Sequence, residues 1–177
     1  SCLLSLCVRR QDALVCRSVL AYVVVWIVAY VCFFRCPAIA PRPASVSGEG
    51  FVGWGLRFLY SADPPYNCFP SLHVAHSFVS ALACYRVHRG LGIAAAVGAA
   101  LVGVSTLYTK QHYIVDVIAG IFLAWVAYLL FLRRYPREAV PEFDRHVAPL
   151  LALVVVGILG LVACCFWFAY RVSWGQF

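Results

Sequence analysis

The chain has 177 residues, 64% of them hydrophobic and 12% charged, and a mean hydropathy of +0.87. One small water-soluble core cannot hide that much apolar surface, so the composition excludes a soluble globular domain and points to an integral membrane protein. The net charge of +7 raises nucleic acid as a partner, but the arginines are scattered between apolar runs and form no stripe, so they read as topology signals and anionic-lipid contacts.

Methionine is absent and the sequence begins at Ser1, so a segment before Ser1, with or without a further helix, is expected. Residues 1 to 17 lack the order of regions found in a signal peptide. A helix needs about 20 apolar residues to cross the hydrocarbon, with about 17 as a minimum. The first candidate is Ser18 to Phe34. It runs into Arg35-Cys36-Pro37-Ala38-Ile39-Ala40-Pro41-Arg42-Pro43, whose arginines suit phosphate because a planar guanidinium donates bidentately; an arginine at a span end also commonly just snorkels.

A loop rich in Pro, Gly and Ser follows, Cys36 to Pro70. Within it Phe51 to Tyr60 is amphipathic, with Trp54, Phe58 and Tyr60 around Arg57, and is expected as an interfacial helix. Cys36 and Cys68 bracket the loop and would pair only if it faces an oxidising compartment. The nine cysteines include no C-x-x-C pair, and Cys32, Cys84, Cys164 and Cys165 lie in apolar runs as small hydrophobes, so no zinc site is expected.

Asn67-Cys68-Phe69-Pro70-Ser71-Leu72-His73 opens the second candidate span, Leu72 to Tyr85, which is short. A helix start here offers free N–H groups to an anion, with the Ser71 hydroxyl and the His73 ring in the same turn; a plain helix start with an interfacial histidine is the competing reading. The third span is Leu91 to Tyr108, and it leads into Ser105-Thr106-Leu107-Tyr108-Thr109-Lys110-Gln111-His112-Tyr113-Ile114-Val115-Asp116. Residues i and i+4 share a helix face, so Asp116 can hold one ring nitrogen of His112 and leave the other as nucleophile or base; a purely structural His-Asp pair is the alternative. Asp116 is the sole acidic residue between Asp63 and Glu138, and an ionisable group at membrane depth is costly and usually retained for a task. Tyr113 to Leu132 and Val147 to Tyr170 complete the spans.

These segments describe an all-α integral membrane bundle of about five to six transmembrane helices, with the interfacial helix in the first extracytoplasmic loop. It forms one domain over residues 1 to 177, with its motif core at 35 to 120 and its final transmembrane helix at 147 to 170. Arg9, Arg10, Arg17, Arg86, Arg89, Arg133, Arg134, Arg137 and Arg145 fall on one side of a five-span arrangement, which makes that side cytoplasmic and opens His73 and His112 on the other. His88 and His146 then lie away from the chemistry. Tyr60, Tyr108 and Tyr113 are expected in the interfacial aromatic belt, His76 as a packed histidine of the bundle, and Gln111 as a candidate to position a head group.

Taken together, Arg35 with Arg42-Pro43, Pro70-Ser71-Leu72-His73 and Ser105 with His112 and Asp116 resemble, in order and spacing, the three motifs of the type 2 phosphatidic acid phosphatase superfamily. Arg35 stands where that family has Lys, Leu72 where it has Gly, and Thr106 where it has Arg. The departures make the chain more similar to the inositol phosphorylceramide synthase and sphingomyelin synthase branch. The resemblance implies a metal-independent, cofactor-free lipid phosphatase or phosphotransferase in which His112 attacks phosphorus to form a phosphohistidine, Asp116 orients it and His73 moves the proton. Arg42, Lys110, Ser71 and, more weakly, Arg35 would bind phosphate. The substrate would be a phospholipid or polyprenyl phosphate in the bilayer, and the acceptor water or a lipid hydroxyl. A competing, non-enzymatic reading is a membrane carrier or channel holding a transition metal on His73, His76, His112 and Asp116.

Overall fold

The computed structural model describes residues 13–173; Arg9 and Arg10, used in the charge argument, lie outside them. Six α-helices account for most of this stretch: α1 (Ala13–Arg35), α2 (Gly50–Ala62), α3 (Leu72–Val87), α4 (Arg89–Tyr108), α5 (Ile114–Ala127) and α6 (Glu142–Val172). A wider π-helical turn, Tyr128–Leu132, prolongs α5, and a 3-10 turn, Arg137–Ala139, precedes α6. Strand-like pairing is confined, among the described residues, to an isolated antiparallel bridge between Ile39 and Tyr66.

Among the described residues, four helices are long and apolar enough to cross a membrane: α1, α4, α5 with its π turn, and α6. The fifth expected span, α3, has 16 residues, which at 1.5 Å per residue is about 24 Å and short of the roughly 30 Å hydrocarbon core. It lies inside the bundle, packed against α1, α4 and α5. Ser71 caps it, accepting from the Val74 N–H at 3.4 Å, and at its other end His88 closes α3 and opens α4, its ring accepting from the Leu91 N–H at 3.2 Å.

Small and branched side chains make the core: Ala21 and Val25 of α1, Ala75 and Val79 of α3, and Leu123, Ala124 and Ala127 of α5. In a bilayer, lipid tails are as apolar as leucine, so helices gain by close approach of small residues. Gly120 shows how close. A Cβ there would stand 2.6 Å from the Ser71 carbonyl oxygen and 3.2 Å from the Val74 Cβ, so α5 touches the start of α3 only because position 120 has no side chain. Outward-facing residues such as Ile93, Ile118, Phe122 and Leu130 are exposed, as lipid-facing surface should be.

Helix α6 stands largely apart and meets α2 through an aromatic cluster, in which Phe51 lies 5.2 Å from Trp167 and Phe58 lies 5.3 Å from Phe166 between ring centroids. Its start precedes the expected Val147 because Pro141, Glu142 and Asp144 suit a helix N-terminus, where acidic groups offset the macrodipole, while lowering hydropathy. At the bundle end away from His73 and His112, the arginines satisfy helix-terminal carbonyls: Arg17 donates to Phe131 at 3.2 Å, Arg86 to Arg133 at 2.8 Å, and Arg137 to Tyr85 at 2.9 Å. Cys36 and Cys68 are both free; Cys68 is buried, and its thiol donates to the Pro65 carbonyl at 3.5 Å.

Replacing Gly120 by Ala should lower thermal stability in detergent by about 1–3 kcal/mol through overpacking, whereas Gly157→Ala on α6, with open space around it, should not lower it. Equal stability of the two variants would refute the close-contact account.

Candidate active site

Two loop segments and two helix starts converge at one end of the bundle. The segment after α1 pairs with the segment before α3: the Ala40 N–H donates to the Pro65 carbonyl at 2.8 Å and the Cys68 N–H to the Ala38 carbonyl at 3.4 Å. Beside them, the turn between α4 and α5 carries His112. Thr106 shapes that turn, because its carbonyl accepts from both the Gln111 and His112 N–H groups, at 3.0 and 3.3 Å, while its buried hydroxyl donates to Gly103 at 2.8 Å. Lys110 in the same turn takes a left-handed backbone conformation, with φ of 54°.

Asp116 sits in the first turn of α5, buried at 4% exposure. Its Oδ2 accepts from the Tyr113 N–H at 2.8 Å, so the carboxylate caps its own helix. The same oxygen lies 3.5 Å from His112 Nδ1, an ion-pair contact without hydrogen-bond geometry, so the buried Nδ1 faces the carboxylate with no hydrogen-bond partner. Through its main chain Asp116 also reaches α3, accepting from the Ser71 N–H at 3.1 Å. The other ring nitrogen of His112, Nε2, lies 3.5 Å from His73 Nδ1. With the proton on Nδ1, facing Asp116, Nε2 turns its lone pair toward His73.

Both histidines line a cavity of about 390 Å³, together with Phe33, Asp63, Pro64, Tyr66, Asn67 and Leu72. His73 is exposed and His112 is buried. Burial, and then the neighbouring His73, push the His112 imidazole below its usual 6.5, against the opposing pull of Asp116 and the Cys68 main chain. The ring is therefore neutral, with a lone pair to use, at neutral pH. Burial raises the Cys68 thiol, which keeps it protonated and unreactive.

The expected phosphate ligands are placed differently from the histidines. Arg42, with a side chain 9% exposed, donates from Nη2 to Asp63 Oδ2 at 3.0 Å and from Nη1 to the Asp63 carbonyl. Its guanidinium lies 4.7 Å from the Tyr60 ring centroid. Ser71 is fully buried as the α3 cap, Lys110 and Arg35 are exposed, and none of the four is among the residues lining the cavity. The Tyr60 hydroxyl donates to the Thr109 carbonyl at 2.8 Å. Asp63 escaped the sequence reading altogether, since its partners are 21 and 48 positions away.

The four residues of the metal reading do not assemble. His76 turns to α1, where the Trp26 indole donates to its Nε2 at 2.5 Å, and among the described residues no three His, Cys, Asp or Glu side chains group to hold a metal.

The family model of the PAP2 superfamily matches residues 2–130. The chain belongs to the PAP2 superfamily. It is 27% identical over 124 residues to a PA-phosphatase related-family protein of Dictyostelium discoideum, an alignment covering 64% of this chain and 22% of that relative. The chain thus spans about a fifth of the relative's length. No solved structure matches. Within the PAP2 match lie all the residues of the convergence described above, from Arg35 to Asp116.

The imidazole of His112, followed by nitrogen NMR in detergent micelles, should titrate below 6.5. Sign follows for stability: the unfolded chain takes up this proton first, so stability falls as pH drops below about 6.5 and levels off beneath the folded value. A His112 midpoint at or above 6.5 would contradict the burial argument.

Proposed function

We propose that this protein is a multi-pass membrane phosphoesterase of lipid phosphates that works through a phosphohistidine on His112. The observation carrying the proposal is the line Asp116–His112–His73 at the wall of a cavity at the end of an apolar bundle, with 3.5 Å at each step. PAP2 membership supports a lipid phosphate as substrate.

In the first step the Nε2 lone pair of His112 forms a bond to phosphorus as the bond from phosphorus to the leaving oxygen breaks, and His73 gives that oxygen its proton. The phosphoryl group takes the space where His73 Nδ1 now faces His112, and exposed His73 is the ring free to turn aside. Asp116 holds the Nδ1 proton and stabilises the cation that forms. In the second step His73 removes a proton from the acceptor hydroxyl, whose oxygen bonds to phosphorus and frees His112. Leu72 and His73 lie in the first turn of α3 and line the cavity, so the helix N-terminus is aimed to stabilise the phosphoryl oxygens. Arg42, Lys110, Ser71 and Arg35 remain the proposed phosphate ligands; of these, Arg42 would have to turn part of its fork from Asp63.

Water as acceptor makes the protein a phosphatase, and a lipid alcohol makes it a head-group transferase of the inositol phosphorylceramide synthase kind. We place the site on the extracytoplasmic face, because Arg17, Arg86, Arg133, Arg134, Arg137 and Arg145 gather at the opposite end.

Purified protein should cleave lipid phosphates in mixed micelles, lose activity to vanadate and keep it in chelator. His112→Ala should abolish turnover and His73→Ala should reduce it about 10²–10⁴-fold. Free phosphate as product indicates hydrolysis, and a new phospholipid in the presence of phosphatidylinositol and ceramide or diacylglycerol indicates transfer. Near-normal turnover by His112→Ala would defeat the proposal.

A further inference from the structure

Asp63 belongs to none of the motif positions that prompted the functional reading, yet one of its carboxylate oxygens joins three separate parts of the chain. Oδ2 accepts from Arg42 Nη2 at 3.0 Å and from Gln111 Nε2 at 2.8 Å. Gln111 is buried, immediately precedes His112, and accepts on its Oε1 from the Thr109 hydroxyl at 3.0 Å. Asp63 itself closes α2, its N–H donating to the Leu59 carbonyl at 3.0 Å. One turn back on α2, Tyr60 lies against the Arg42 guanidinium and bonds the Thr109 carbonyl. The end of α2 is therefore fastened to the turn carrying His112 by two side chains, and Arg42 is enclosed between them.

The chemistry favours this clamp. A hydrogen bond with an ionised partner is roughly twice as strong as a neutral one, and an amide beside a histidine carries no charge to disturb it. Arg42 would be left as a buried cation if Asp63 were removed, since its Nε already has no hydrogen-bond partner. Asp63 also lines the cavity with 40% of its side chain exposed, so substrate and clamp share one wall.

We infer that Asp63 is a positioning residue: its carboxylate ties Arg42, in the segment after α1, to the Gln111-His112 turn, so that the His112 turn keeps its place against the end of α2. This rests on the reading of His112 as nucleophile. Because α2 carries Asp63 and packs its aromatic face on α6, the helix expected at the membrane interface and the nucleophile's turn form one mechanical unit.

The test compares Asp63→Ala, Asp63→Asn, Gln111→Leu and the Asp63→Ala/Gln111→Leu double variant, with Glu142→Gln at an exposed site as control. Two readouts are taken: kcat and KM on lipid phosphate, and the rate at which diethyl pyrocarbonate modifies His112, mapped by peptide mass spectrometry. Asp63→Ala should lower kcat/KM about 10–100-fold, the scale of a small misplacement, and raise His112 labelling several-fold. Asp63→Asn keeps an acceptor for Gln111, so its labelling should stay near that of the wild type and its kcat/KM above that of Asp63→Ala. The double variant should be no worse than about twofold below Asp63→Ala, because both changes cut one link.

Wild-type labelling and kcat/KM in Asp63→Ala, or losses that simply multiply in the double variant, would overturn the clamp. A wild-type protein that turns over no lipid phosphate would instead overturn the function, and the labelling readout would still decide the clamp.

Discussion

Asp116 is the group on which the site depends. A buried carboxylate at the edge of an apolar bundle is expensive unless its oxygens are occupied. Its Oδ2 takes the Tyr113 N–H and faces His112, and its main-chain carbonyl takes the Ser71 N–H. Through one residue the helix that follows His112 is capped, the His112 ring is faced by a carboxylate, and the start of α3, where His73 sits, is tied on. The two histidines lie 39 positions apart, one in the first turn of α3 and one in the turn before α5, and this residue is where the two segments meet.

Packing then fixes the distance. Gly120 lies one turn beyond Asp116 and lets the Ser71 carbonyl approach to where a Cβ would sit. The 16 residues of α3 set His73 level with the turn before α5, and His88 turns the chain directly into α4. The arginines at the opposite end, Arg17, Arg86 and Arg137, donate to helix-terminal carbonyls and close that end of the bundle.

Hydropathy and spacing made most of the helices legible. The expected Leu91 to Tyr108 and Tyr113 to Leu132 differ from the observed α4 and prolonged α5 by two residues or fewer, because apolar length is a local property. The first turn of α6 was hidden by its own acidic residues, which stabilise a helix start while lowering hydropathy. His73, His112 and Asp116 were legible because a titratable group beside an apolar run is conspicuous, and the i, i+4 spacing named the pair. Asp63 was not, since an acidic residue in a loop rich in Pro and Gly looks solvated until Arg42 and Gln111 fold against it. In the same place Arg42, readable as a phosphate ligand, is enclosed by Asp63 and Tyr60. Thr106, read as a missing arginine, holds the His112 turn through its carbonyl.

The central claim is that burial and Asp116 make His112 the atom that bonds to phosphorus. Rapid quench of the protein with a lipid substrate carrying radioactive phosphorus tests it most directly, followed by peptide mapping under alkaline conditions that preserve phosphohistidine. The account predicts an acid-labile label on the peptide containing His112, absent from His112→Ala. Label on His73, or unlabelled protein during active turnover, would contradict it.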